Sequence, residues 1–191
     1  MWPPYIVVDD FLNKEHLRKL SEIPFQTSGA EWEMLTHTIR EDGTIDQSFM
    51  SSVKRTDAPH FSEQDSIDIY NAHYQSMISA WQQLDPESSK RQIKYTELNI
   101  VMSGKDFVWP IHNDSKNKML SVVIYISPEE NEGTWLYDDQ AGNNARQIEW
   151  KPNRAFIFSR NTDTWHSYKA DGKNNRLTLV YNLIGYKNAN K

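Results

Sequence analysis

The chain has 191 residues, a formal charge of −5 from 21 Lys and Arg against 26 Asp and Glu, and the 38% hydrophobic, 12% aromatic make-up of one globular domain. It contains no cysteine, which excludes disulfides, thiolate nucleophiles and iron–sulfur clusters and leaves any metal to nitrogen and oxygen ligands. The acidic balance argues against nucleic acid, and the longest apolar run, near Val122–Ile126, is too short to span a bilayer. Met1–Asp10 lacks the basic and apolar regions of a secretion signal, so a cytoplasmic chain with no membrane partner is expected.

The first half reads mostly helical. Ile6–Val8 is a short β-branched run. Asn13 then suits an N-cap, Leu17, Leu20 and Ile23 form an apolar stripe, and Pro24 ends the helix. Strands are expected around Glu33–Ile39, with a turn at Asp42-Gly43. Ile67, Tyr70, Tyr74, Met77, Ile78, Trp81 and Leu84 recur at spacings of three and four, the mark of a second helix closed by Asp85-Pro86. Strands separated by turns follow: Lys94–Met102, Pro110–Asp114, Met119–Ser127, Thr134–Tyr137, Arg146–Trp150, Ala155–Ser159, Thr164–Tyr168 and Leu177–Leu183. Within Met119–Ser127, Leu120, Val122, Ile124 and Ile126 alternate with Ser121, Val123 and Tyr125. This pattern predicts an α+β, mainly β domain, a sandwich or jelly roll with the N-terminal helices packed outside.

His112-Asn113-Asp114 is the most informative tripeptide. On an extended segment His112 and Asp114 share a face and could bind one ion, with Asn113 turned away. A lone His-x-Asp is common by chance, and two ligands leave a site incomplete. His166, in Trp165-His166-Ser167-Tyr168, is the natural third. Two histidines and a carboxylate on one face of a metal suit non-haem Fe(II), because positions stay open. Arg176 stands ten positions after His166 and opens an apolar strand. If it faces inward it needs an anion, which a guanidinium grips with paired hydrogen bonds; the bland alternative is that it points outward or pairs with a protein Asp.

Together these residues resemble the Fe(II)- and 2-oxoglutarate-dependent oxygenases, in their prolyl-hydroxylase-like branch. The resemblance rests on His112, Asp114, His166 and Arg176 at the family's spacing. It extends to Ile124-Tyr125-Ile126-Ser127, Glu132–Tyr137, the Pro-containing run Trp150–Ser159, and the opening Ile6–Leu20. It implies a double-stranded β-helix, the cupin-like jelly roll, in one domain over 1–191: supporting and substrate-side elements in 1–90 and the jelly-roll core in 91–186. It implies that His112, Asp114 and His166 ligate Fe(II), and that Arg176 pairs with the 5-carboxylate of 2-oxoglutarate. Tyr125 and, more weakly, Thr178 would supply further contacts to that carboxylate, and O2 would be the second co-substrate. The implied reaction couples decarboxylation of 2-oxoglutarate to succinate and CO2 with hydroxylation of a small molecule, a saccharide or a protein side chain.

Met102 departs from the family, which often carries a Tyr there, and this predicts one polar contact fewer near the metal. Substrate-selecting loops are expected at Thr27–Ser62 and Asp138–Asn144. Trp109 and Trp165 flank the proposed ligands and either wall the site or simply pack. His16, His37, His60 and His73 read as structural or surface residues, and Asp138–Asn144 as a plain turn. Nothing in the sequence specifies the substrate or an oligomeric state. The competing reading is a jelly-roll module that binds a sugar or other ligand without redox chemistry; it requires that His112, Asp114 and His166 do not converge.

Overall fold

The computed structural model describes residues 2–24, 27–46 and 61–186. Of the expected loop Thr27–Ser62, residues 47–60, His60 among them, lie outside the described residues. The chain runs β1 (Tyr5–Val8), α1 (Lys14–Ser21), β2 (Trp32–Ile39), α2 (Glu63–Leu84), a 3-10 turn Ser88–Lys90 and β3 (Ile93–Ser103). It continues through β4 (Val108–His112), β5 (Lys118–Ser127), β6 (Thr134–Tyr137), β7 (Arg146–Ile148), β8 (Ala155–Ser159), β9 (Trp165–Lys169) and β10 (Arg176–Gly185).

The helices start where polar caps allow. The Asn13 side chain accepts a hydrogen bond from the His16 backbone N–H at 2.8 Å. Ser62 and Asp65 form a reciprocal capping box, so α2 begins four residues before the apolar spacing at Ile67 makes it visible. Lys19 Nζ reaches Asp65 at 2.6 Å and links the last turn of α1 to the first turn of α2.

The ten strands among the described residues divide into two antiparallel sheets. The major sheet has the order β1-β8-β5-β10-β3-β2 and the minor sheet β4-β9-β6-β7. Side-chain alternation gives the major sheet two unlike faces. Leu98, Ile100 and Met102 of β3, Leu120, Val122 and Ile124 of β5, and Leu177, Leu179 and Leu183 of β10 pack with Leu20 of α1 and Ile69, Met77 and Trp81 of α2. Burying each such side chain contributes about 1.5–3 kcal/mol, so this layer supplies most of the driving force for folding. The opposite face looks toward the minor sheet. A second cluster of Trp2, Tyr125, Leu136, Ile148, Phe156 and Phe158 closes one side of that space. Phe107, Tyr168 and Ala170, with Trp32 and Trp109 against them, close another.

Two expectations are corrected. Met102 is fully buried on the helix-facing side and does not approach the proposed metal ligands. Its β3 neighbours Val101 and Ser103 are the ones that face inward, so the substitution removes no polar contact from the site. The short strand ends at His112 rather than Asp114, and its pairing with β9 slips between Trp109 and His112.

Candidate metal and co-substrate site

The minor sheet brings the two histidines together. His112, last residue of β4, pairs directly with His166 of β9, and their ring centroids are 4.3 Å apart. Asp114 follows two residues beyond the strand end. One ligand atom from each of His112, Asp114 and His166 lies within 4.8 Å of the others. The three converge, which removes the condition on which the purely binding reading depended. Asn113 turns to the β8–β9 loop: its Nδ2 donates to the Asn161 carbonyl at 2.6 Å, and its Oδ1 accepts from the Thr164 hydroxyl at 2.7 Å.

Backbone carbonyls fix both imidazoles. His112 Nδ1 lies 2.9 Å from the Pro110 carbonyl, and His166 Nδ1 lies 2.8 Å from the Thr164 carbonyl. A carbonyl only accepts, so each Nδ1 carries the proton and each Nε2 keeps a lone pair. Burial pushes the His166 pKa down to about 4, against the opposing pull of Asp114, so the ring is neutral at pH 7. Burial alone would raise the Asp114 pKa, but Lys118 and His166 outweigh it and hold the carboxyl well below the usual range. Lys118 Nζ sits 2.8 Å from one carboxylate oxygen and the Ser121 hydroxyl 2.9 Å from the other. Lys118 and Ser121 were missed in the sequence. The i, i+4 spacing of Asp114 and Lys118 was the available signal for one of them.

Arg176 opens β10, pairs with Ser103 of β3 and is 5% exposed. Its guanidinium carbon lies 3.6 Å from the Tyr168 ring centroid and 5.4 Å from those of Tyr125 and Trp150. Among the described residues no carboxylate lies within ion-pair distance of it, and its Nε has no hydrogen-bond partner. Desolvation lowers its pKa, the expected sign for a cation held without an anion. Thr178 shares its face of the strand and also lines the cavity. Tyr125 does not. Its hydroxyl donates to Thr134 Oγ1 and accepts from the Thr134 backbone N–H, both at 2.9 Å, and its ring stacks on Trp150 at 4.7 Å. Tyr125 therefore holds Thr134, which is the residue that faces the cavity.

The space between the sheets is a cavity of about 680 Å³, within the size range of small-molecule sites. The three convergent residues and Arg176 all line it. Trp109 lines it as well, with its indole N–H donating to His112 Nε2 at 3.1 Å, whereas Trp165 does not. Glu97, Asn99 and Asn182 form a polar stretch of its wall that the sequence did not single out. Asn182 has the same strand parity as Arg176 and was legible on that ground. The other described histidines each have a structural contact. His16 contacts its cap residue Asn13, His37 lies 2.6 Å from Ser66, and His73 stacks on Phe11. Asp138–Asn144 is a turn held by Asp139, as expected.

No family model and no curated protein matches the chain. Solved structures do. A Pseudomonas putida prolyl-4-hydroxylase superposes with a TM-score of 0.60 at 14% identity, covering 96% of this chain and 93% of its own. A Trichoplax adhaerens prolyl hydroxylase, solved with a peptide fragment of the hypoxia inducible factor oxygen degradation domain, gives 0.62 at 15% identity, with 95% and 83% covered. The Arabidopsis thaliana dioxygenase for auxin oxidation, solved with 2-oxoglutarate, gives 0.61 at 13% identity, with 100% and 86% covered. Across nearly its whole length, the chain has the double-stranded β-helix fold of these oxygenases.

Proposed function

We propose that this protein is an oxygenase that couples oxidative decarboxylation of 2-oxoglutarate, to succinate and CO2, with hydroxylation of a second substrate. One observation carries the reading: a single cavity holds two imidazole nitrogens and a carboxylate at one point, and a buried guanidinium without an anion in its wall. The donor set fits Fe(II). Both Nε2 atoms keep lone pairs, Asp114 is anionic, and three ligands leave positions open. Iron, when bound, supplies O2 activation, with one oxygen atom passing to succinate and the other to the substrate.

The chain's own residues bind, orient and exclude water. His112, Asp114 and His166 hold the metal, with Lys118 and Ser121 orienting the Asp114 carboxylate. Arg176 docks the 5-carboxylate of 2-oxoglutarate and Thr178 is a second donor beside it. Tyr125 acts from behind the wall, fixing Thr134 and flanking Arg176. The aromatic surround of Arg176 keeps water from the ion pair and so strengthens it. The 2-oxoglutarate complex of the Arabidopsis dioxygenase and the peptide complex of the Trichoplax hydroxylase support a co-substrate plus a small-molecule or protein side-chain substrate; a saccharide is the third substrate class within the proposal. We place the catalytic core in residues 91–186 of one domain, supported by 1–90. The cytoplasm is the proposed compartment, consistent with the lack of cysteine; among the described residues no helix is long and apolar enough to cross a membrane.

The test is anaerobic addition of Fe(II) and 2-oxoglutarate, followed by absorption spectroscopy. A metal-to-ligand charge-transfer band is expected in the wild type and is lost in His112→Ala. No band in the wild type, or an undiminished band in the variant, overturns the reading.

A further inference from the structure

The cavity wall changes character along the strands. Arg176 and Asn182 lie on one face of β10, six residues and so about 20 Å apart. Between them the inward residues Thr178 and Val180, with Val101 of β3 and Val123 of β5, are weakly polar or apolar. At the far end Asn182 pairs across the sheet with Glu97 of β3 and Ser121 of β5. Asn99 follows Glu97 on the same face, and its Oδ1 accepts from the Thr36 hydroxyl at 2.8 Å.

This end holds acceptors and negative charge. Glu97 lines the cavity, yet among the described residues no cation lies within ion-pair distance of it. Lys118, the nearest cation acting on it, is committed to Asp114 at 2.8 Å. Burial raises the Glu97 pKa, opposed by Lys118 and by the Asn99 and Asn182 amides. Asn182 is 1% exposed, and neither its Oδ1 nor its Nδ2 has a hydrogen-bond partner in ordinary geometry. A half-buried carboxylate that meets amides but no cation, beside a buried amide without a partner in ordinary geometry, is costly unless a ligand completes the pair. A hydroxyl can donate to them but leaves the charge uncompensated, whereas an ammonium does both.

We propose that Glu97, Asn99 and Asn182 are the recognition subsite for the substrate to be oxidised, and that they select a protonated primary amine. This rests on the oxygenase reading for the word substrate, but not for the binding itself. With the amine at Glu97 and 2-oxoglutarate at Arg176, the two ligands enter opposite ends of one cavity, each paired with the charge it lacks. The carbon chain attached to the amine lies along Val180 and Val123. The amine belongs either to a free small molecule or to a lysine side chain in a peptide, and both present the same group.

The full-length protein is titrated with butylamine, diaminopentane, free lysine and a short lysine-containing peptide, each against its N-acetylated counterpart, and with glucose. Binding is read by saturation-transfer NMR and calorimetry without added metal. Amines are expected to bind, and the acetylated forms and glucose to bind far more weakly. Glu97→Gln, which keeps the shape, is expected to weaken amine binding about ten- to hundredfold, as for loss of a charged hydrogen bond. Asn182→Leu is expected to weaken it less, and it tests the subsite independently should Glu97→Gln fold poorly. Acetylated probes or glucose binding as well as amines, no probe binding at all, or unchanged affinity in both Glu97→Gln and Asn182→Leu, overturns the proposal. Preference among the free amines against the peptide identifies the source. Glu97-dependent amine binding in a protein that gives no charge-transfer band with Fe(II) and 2-oxoglutarate would leave the subsite standing and remove the oxygenase reading; the reverse pair of results would do the opposite.

Discussion

The two faces of the major sheet are built from the same strands and do opposite things. Toward the helices, Leu177, Leu179 and Leu183 of β10 interlock with Leu98, Ile100 and Met102 of β3, each nearly or wholly buried. Toward the minor sheet, the alternate residues Arg176, Thr178, Val180 and Asn182 meet Glu97, Asn99, Val101 and Ser103 around a cavity. The first face is satisfied by packing alone. The second holds Arg176 Nε and the Asn182 amide without partners, an arrangement that costs stability and gains meaning only when a ligand is present. One residue's step along a strand therefore separates folding from chemistry.

The largest effect tests the packed face. Leu179→Ala is expected to lower stability by about 2–5 kcal/mol in urea titration, through lost transfer energy plus a cavity, while the folded fraction binds 2-oxoglutarate normally. Loss of that binding in protein still folded would break the separation. Arg176→Met, one face over, has the reverse signature. With Fe(II) present, 2-oxoglutarate binding weakens by about 2–5 kcal/mol, the cost of stranding one half of a desolvated charge pair. The stability of the ligand-free protein is unchanged or raised, because an unpaired buried guanidinium is removed; a large drop would show that Arg176 serves packing instead. Mn(II) at a hundredfold excess over its Kd stabilises the wild type by about 2.7 kcal/mol, roughly 5–10 °C in thermal melting, and His166→Ala abolishes the shift. An equal shift in the variant would place the ion elsewhere. The smallest effect is pH-dependent and lies outside the cavity. Burial beside Phe11, reinforced by His16, lowers the His73 pKa below its unfolded value of 6.5, so the unfolded chain binds more protons. Its contribution is complete above that value and is lost as pH falls below it. The urea midpoint should drop between about pH 7.5 and 5.5, and less so in His73→Leu.

Much of this is legible in the sequence, for physical reasons. Asn13 announced α1 because a side-chain cap is a local interaction. Arg176 stood out because a cation amid alternating apolar residues contradicts burial unless something meets it. The pairing of His112 with His166 was expected from chemistry and is delivered by β4–β9 registration. What stayed hidden depends on the second layer. A strand covered on both sides reads as a nearly continuous apolar run, so the side to which Met102 points could not be assigned. Glu97, Asn99 and Asn182 resemble the solvent-facing half of an ordinary antiparallel strand until another sheet is laid over them. The bonds of the Tyr125 hydroxyl to Thr134 likewise depend on β6 of the other sheet.

The indole N–H of Trp109 donates to the same His112 nitrogen that a metal would need. One lone pair cannot serve both, so loading the site must release that ring from its present partner. Trp109 also touches Trp32 and Phe107 at the cavity edge, with centroids 5.2 and 5.7 Å away. The protein thus carries an intrinsic fluorophore wired to its own occupancy, and filling and emptying can be followed by light, with no label and no turnover.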